Sequence, residues 1–170
     1  MGLRDRRHGD EAGHRRYQMR EKLMSIGDDF WIEDESGQRA YKVDGKAVRV
    51  RDTFVLRDAS GHEVAKIQER TMRARDTMEI ERDGGNAVVH KALVGIRDRF
   101  KIEVHGGKDL SAHGNLVDHE YEIERDGDTV ATVSKKWFRA RDTYGVEVAP
   151  GEDDALVLAV TVCIDDLARG

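Results

Sequence analysis

The sequence contains one cysteine, one proline and few aromatic residues. With Cys163 alone, neither an internal disulfide nor a zinc site built from cysteines can form. Long hydrophobic runs are also lacking: no apolar stretch approaches the roughly 20 residues that a membrane span needs. The N-terminus has no apolar region of the kind found in secretory signals. These absences predict a soluble protein of the cytoplasm without a transmembrane segment.

A strong charge of one sign is lacking as well. The 29 Lys and Arg and the 34 Asp and Glu are interspersed over 170 residues and give a formal net charge of -5. Proteins that bind nucleic acids usually carry a concentrated basic field, so we expect no nucleic-acid partner. The length fits one domain with a core of its own.

Short alternating segments make up most of the chain. Residues 1–16 are rich in charge and glycine and are predicted to form a disordered tail, which leaves residues 17–170 for the domain. From Tyr17 onward, apolar residues alternate with polar ones, as in Lys101–Val104, and turn sequences such as DASG and RDGD separate the runs. About twelve such runs are too many for one open sheet. They predict an all-β protein, either a closed barrel or two packed layers.

A repeat runs through these segments. Arg-Ala-Arg-Asp-Thr occurs at residues 73–77 and 139–143, and residues 49–53 are a near copy. IRDRF at residues 96–100 is a looser fourth copy. A gapless alignment on three glycines brings apolar, Arg and Asp positions into register: Gly37, Gly61 and Gly127; Val43, Ile67 and Val133; Arg51, Arg75 and Arg141; Asp52, Asp76 and Asp142. A catalytic group is needed once, whereas a turn is needed at every corner, so the repetition indicates architecture.

Two interpretations fit the repeated Arg-Asp pair. The Asp could point into the core, where a carboxylate is costly unless paired, or it could occupy a tight hairpin corner, where Asp suits the backbone. We favour the corner. If the corners share one end of a barrel, their guanidinium groups suit phosphate. The candidate anion-binding residues are Arg51, Arg75, Arg99 and Arg141. In the alternative, the adjacent Asp residues neutralise these arginines in local ion pairs that contribute little to stability.

One segment breaks the alternating pattern. From Ala155 to Ile164 the only polar residue is Thr161. The valines favour a strand, but the acidic residues before the run and the break at Pro150 favour a helix. A helix that is apolar on every side must be enclosed. We therefore predict a buried C-terminal helix at about residues 153–167, with the strands around it.

Three blocks carry a resemblance to a known family: YQMREKLMSIGDDFWIEDESG (17–37), AYKVDGKAVRVRDTFVLRDASG (40–61) and DDALVLAVTVCIDD (153–166). In these blocks the chain resembles the LURP-one-related family of the Tubby C-terminal-like superfamily, distantly related in fold to the phospholipid scramblases. The resemblance implies a twelve-stranded antiparallel closed barrel around a hydrophobic C-terminal helix. It implies little about activity, since fold does not fix function.

Chemistry-bearing motifs are scarce. No nucleophile elbow, phosphate-binding loop or zinc-protease pattern occurs. His105, His113 and His119 lie at spacings of eight and six, which share no helical or turn face, so no metal site and no cofactor are expected. Trp31 and Trp137 either anchor a protein partner or fold over a neighbouring strand.

We expect a non-enzymatic binding or scaffold module with a protein or anionic-lipid partner. Binding of anionic phospholipid or phosphoinositide headgroups at an arginine-rich rim, with peripheral contact to a membrane, is the alternative.

Overall fold

The computed structural model describes residues 13–20, 29–48, 51–69, 77–94, 97–139 and 142–169. These ranges contain twelve strands and one helix. The strands are β1 (Arg15–Arg20), β2 (Phe30–Asp34), β3 (Arg39–Val48), β4 (Arg51–Asp58), β5 (Glu63–Glu69), β6 (Thr77–Glu81), β7 (Ala87–Val94), β8 (Arg97–Val104), β9 (Leu110–Asn115), β10 (Glu120–Arg125), β11 (Asp128–Ser134) and β12 (Thr143–Val148), and the helix is α1 (Asp154–Arg169).

Every strand pairs antiparallel with the strands before and after it in the chain. The first strand closes the ring by pairing with the last, with Tyr17 opposite Val146. The predicted closed barrel of twelve antiparallel strands is confirmed. We call the end where the even-numbered strands begin the upper end, and the opposite end the lower end. The strand β1 begins at Arg15, two residues before the predicted boundary at Tyr17, and residues 1–12 lie outside the described ranges.

The strands alternate as the sequence predicts, with apolar side chains directed inward. The positions that the repeat aligns, Val43, Ile67 and Val133, are all buried. The helix α1 packs within the same core: its residues from Leu156 to Asp165 are buried. The predicted helix is confirmed; it begins one residue later and ends two residues later than expected. The two sets of apolar side chains bury each other, which is the main favourable term in folding.

The repeated glycines occupy equivalent turns at the lower end. Gly37 and Gly61 adopt φ values of 79° and 89°, in the left-handed region that glycine enters without steric cost. Their amides donate to the carbonyl oxygens of Asp34 and Asp58. The Asp34 carboxylate accepts from the backbone of Ser36 at 2.9 Å, and Asp58 accepts from Ser60 at the same distance. The repeat thus encodes the same local turn twice, as an architectural interpretation requires.

The repeat also encodes a β-bulge, which the sequence did not reveal. Three residues after each aligned glycine, one residue faces no partner across the ladder, and the register shifts there. The unpaired residues are Ala40, Val64 and Val130. A bulge bends its strand and increases its twist. Three equivalent bulges therefore supply part of the curvature that closes the barrel.

The predicted location of Asp at the hairpin corners is wrong for two of the repeats. Val48 pairs with Arg51, so only residues 49 and 50 connect the strands, and Asp52 lies within β4. In the same way Asp98 lies within β8, opposite Leu93. A two-residue connection leaves no room for the Arg-Asp pair, which begins the next strand instead. Asp142 does lie in a turn, with a φ of 59°, and Asp76 lies outside the described residues.

Three ion pairs hold the start of α1 in the lower end. Three consecutive acidic residues each contact an arginine from a different part of the wall: Arg125–Glu152 at 2.8 Å, Arg82–Asp153 at 2.6 Å, and Arg15–Asp154, in which the Arg15 Nε donates to Oδ2 at 2.8 Å. The Tyr17 hydroxyl also donates to Asp154. Because the three arginines come from different parts of the wall, the ion pairs fix the start of the helix both across the barrel and along its axis.

Truncating a core side chain of α1 tests the enclosure. We expect Leu158→Ala to lower the free energy of unfolding by about 2–5 kcal/mol, because Leu158 is fully buried and its loss leaves a cavity. Val117→Ala is the matched control, since Val117 is 63% exposed and surface changes cost within about 0.5 kcal/mol. Urea denaturation measures both. Equal, small effects would contradict the enclosed helix.

The thiol of Cys163 gives a second test. Burial raises the pKa of Cys163 well above its usual range, and the thiolate is the form that reacts. Iodoacetamide at pH 8 is expected to alkylate the folded protein at least about 100-fold more slowly than the protein in denaturant, because reaction requires opening of the core. Mass spectrometry over time gives both rates. Equal rates would show that the helix face is open to solvent.

Candidate functional site: the upper end of the barrel

The two ends of the barrel differ in charge. Six connections join strand ends at the upper end: 21–29, 49–50, 70–76, 95–96, 116–119 and 135–142. Their sequences hold nine Lys or Arg and six Asp or Glu. The six connections at the lower end, 35–38, 59–62, 82–86, 105–109, 126–127 and 149–153, hold two and six. The upper connections are therefore net basic and the lower ones net acidic, although the whole chain is acidic.

The four candidate arginines belong to this basic end by chain direction. Arg51 begins β4, and Arg99 is the third residue of β8, strands that both start at the upper end. Arg75 and Arg141 belong to the upper connections 70–76 and 135–142 and lie outside the described residues. Arg99 is exposed on the outer wall. Chain direction alone assigns the Arg-Asp pairs to this end, and an anion site formed by the four side chains stays a prediction.

Cations near the lower end contact acidic partners. The guanidinium groups of Arg15, Arg82 and Arg125 contact the acidic residues before and at the start of α1. Their hydrogen bonds hold the Arg15 and Arg125 pKa values above the usual range. These side chains have a structural role, so the lower end offers little for an anionic ligand.

A buried histidine packs at the upper end. His119 ends the connection 116–119 with a φ of 54°, and its Nε2 lies 2.7 Å from Oδ1 of Asp165 on α1. Its ring stacks on Tyr144, with centroids 4.1 Å apart and planes at 22°. Both the histidine and the aspartate are buried. This contact ties the last turns of the helix to the wall, opposite to the end that the three arginine pairs hold.

The tryptophans lie against the wall. Trp137 and its neighbour Phe138 pack over Gly145 of β12, where an added Cβ would stand 2.7 Å from the Trp137 ring. The Arg16 guanidinium stacks over the same ring at 5.0 Å. Trp31 is half-buried and lies under Arg39 at 4.8 Å. Of the two interpretations of Trp137, the structure supports the ring folded over a neighbouring strand.

The three histidines considered as metal ligands do not come together. His105 lies in a lower connection, His119 in an upper one, and His113 in the wall strand β9. The structure instead places His113 beside two carboxylates of β10, those of Glu122 and Glu124, with the three ligand atoms all within 4.8 Å of one another. Sequence reasoning compared the histidines only with each other. The signal that it missed is pairing between adjacent strands.

The barrel with a core helix agrees with a family model. Residues 15–165 match the model described as LURP-one-related. The chain belongs to this family. A solved structure, the X-ray structure of a protein from Arabidopsis thaliana, is similar with a TM-score of 0.68 and 21% identity over 92% of each chain. At that identity the likeness shows the fold alone. No protein with a curated description matches the sequence significantly.

In the ranges described, no helix has the length and apolar character needed to cross a bilayer.

Removing the His119 side chain tests its structural role. We expect His119→Ala to lower the free energy of unfolding by about 1–3 kcal/mol, the range for removing one partner of a buried hydrogen bond, with a further loss from the stacked ring. His105→Ala is the control because His105 is exposed. Chemical denaturation compares them. If His119→Ala were as stable as the control, the contact with Asp165 would not hold the helix.

Proposed function

We propose that this LURP-one-related domain is a non-enzymatic binding module of the cytoplasm whose upper end binds the phosphate groups of anionic phospholipid headgroups. The observation that carries the proposal is the charge difference between the ends of the barrel. The sequences of the upper connections contain nine cationic residues. An anionic membrane is an extended surface of the opposite charge.

The filled core supports a site on the outside of the barrel. The helix α1 and the inward side chains of the strands form one buried cluster. A ligand that reached the interior would have to displace these side chains. The connections and the outer wall are therefore where a ligand can bind without unfolding the domain.

The type of cation supports phosphate as the group bound. Six of the nine upper cations are arginines, and the guanidinium fork donates two parallel hydrogen bonds to phosphate oxygens. The adjacent Asp residues weaken the field but do not cancel it. Because the remaining charge is modest, binding should depend on several headgroups at once and should be sensitive to salt.

The absence of an enzymatic role is part of the proposal. It is supported by the enclosure of Cys163, whose thiol pKa is raised by burial so that the reactive thiolate is disfavoured, and by the structural role of the His119–Asp165 contact. The resemblance to Tubby-like folds, which include a phosphoinositide-binding domain, agrees with lipid binding. Likeness of fold does not carry it alone.

Liposome co-sedimentation at two salt concentrations tests the proposal. We expect the protein to sediment with vesicles that contain phosphatidylserine or phosphoinositide, to bind less at the higher salt, and to stay in the supernatant with neutral vesicles. Arg75→Ala with Arg141→Ala should reduce binding severalfold, since each cation near an anionic surface contributes about 1 kcal/mol.

A variant of equal charge serves as the control. Lys101→Ala with Lys108→Ala also removes two positive charges, and both side chains are exposed away from the upper connections, at 57% and 72%. This control should bind like the wild type. Equal losses of binding in both variants would show that only the net charge matters and not the upper end. If the wild type did not bind anionic vesicles at low salt, lipid binding would be refuted.

A further inference from the structure

Three potential metal ligands converge on the outer wall. His113 of β9 pairs directly with Glu122 of β10, and Glu124 lies two residues further along the same face. The His113 Nε2 is 3.0 Å from Oε2 of Glu124. All three side chains are partly buried, and their ligand atoms lie within 4.8 Å of one another. Because two paired strands hold the backbone, the three side chains share a fixed frame.

The negative charge at this place is poorly balanced. Among the described residues, Glu122 makes no ion pair, and Glu124 makes one, with the imidazole of His113. Arg99 of β8 lies opposite His113 in the strand ladder. Its side chain is exposed, so water screens its charge. Two carboxylates at neighbouring positions repel each other unless a cation lies between them.

The barrel itself provides a comparison. In the hairpin of β3 and β4, the same three positions hold Asp44, its partner Val55, and Arg57 two residues further on. There the charges balance, since the Arg57 Nε donates to Asp44 at 2.7 Å. Despite the burial that opposes it, this hydrogen bond and that of Lys42 hold the pKa of Asp44 below its usual range. The same three positions thus include a positively charged side chain in the hairpin of β3 and β4. In the hairpin of β9 and β10 that position holds Glu124 instead.

We propose that His113, Glu122 and Glu124 form a binding site for a divalent transition-metal ion, of which Zn²⁺ is the representative. Imidazole nitrogen and carboxylate oxygen bind zinc at about 2.0–2.2 Å. Ligand atoms around a tetrahedral ion at that distance lie roughly 3.3 Å apart. The 3.0 Å contact is close to this value already, and small side-chain rotations bring the third atom in.

The ligand types select among cations. Mg²⁺ and Ca²⁺ prefer oxygen ligands throughout, so a site with an imidazole favours zinc, cobalt or nickel. The protein supplies three ligands, and the positions that remain face solvent, where water or an anionic ligand completes the coordination. A bound ion would join β9 to β10 and neutralise the two glutamates.

Isothermal titration of the metal-free, untagged protein with ZnCl₂ tests the site, with MgCl₂ in parallel. We expect one saturable zinc site per chain and no comparable binding of magnesium. His113→Ala and Glu124→Gln should each weaken zinc binding at least about tenfold, since even the loss of an outer-shell partner has an effect of that size. Zinc should also raise the melting temperature of the wild type by mass action and should not raise that of His113→Ala.

Matched substitutions outside the site complete the design. His105→Ala removes an exposed histidine, and Glu79→Gln neutralises a partly buried glutamate of β6. Both should bind zinc as the wild type does. The proposal is overturned if the wild type shows no saturable zinc binding, or if the affinity in His113→Ala and in Glu122→Gln with Glu124→Gln equals that of the controls.

Discussion

Helix α1 is apolar on nearly every side, and the rest of the structure follows from the need to cover it. Each fully buried Leu, Ile or Val contributes about 1.5–3 kcal/mol relative to exposure, so a helix from Leu156 to Asp165 in water would be strongly unfavourable. A ring of twelve strands covers it on all sides and, within the described part of the chain, leaves no free strand edge. Polar contacts then fix it at both ends: arginine pairs at its start and the hydrogen bond between His119 and Asp165 near its finish. A core of this kind confines any ligand to the connections and the outer wall.

Much of the fold is visible in the sequence because its signals are local or repeated. Alternation gives the strands, and an apolar run between acidic residues gives the helix. The aligned glycines give the equivalent turns of Gly37 and Gly61. The bulges at Ala40, Val64 and Val130 could not be found in this way, because a bulge exists only in relation to the strand opposite. The Arg-Asp pair was misplaced for a related reason: the length of a hairpin connection depends on register, and Val48 opposite Arg51 sets that register.

The candidate sites also differ in whether their signal is local in the sequence or depends on strand pairing. The assignment of the candidate arginines to one end rests on counting strands in a meander, so the sequence supports it once the strand order is known. The convergence of His113 with Glu122 and Glu124 depends on which residue faces which across β9 and β10. Nine positions separate His113 from Glu122 in the chain, and no linear spacing rule selects them. Chemistry built across strands becomes visible only when the pairing is known.

The ring closes late in the chain, and this has a consequence for synthesis. Arg15 and Asp154, which are in contact, are 139 positions apart, and β1 has no closing partner until β12 has been made. The helix that fills the interior follows all twelve strands. A partly synthesised chain therefore exposes two open strand edges and an uncovered apolar interior, both of which favour aggregation. Contacts between such distant residues also make folding slow. A protein of this design should depend on assistance during translation more than its size suggests.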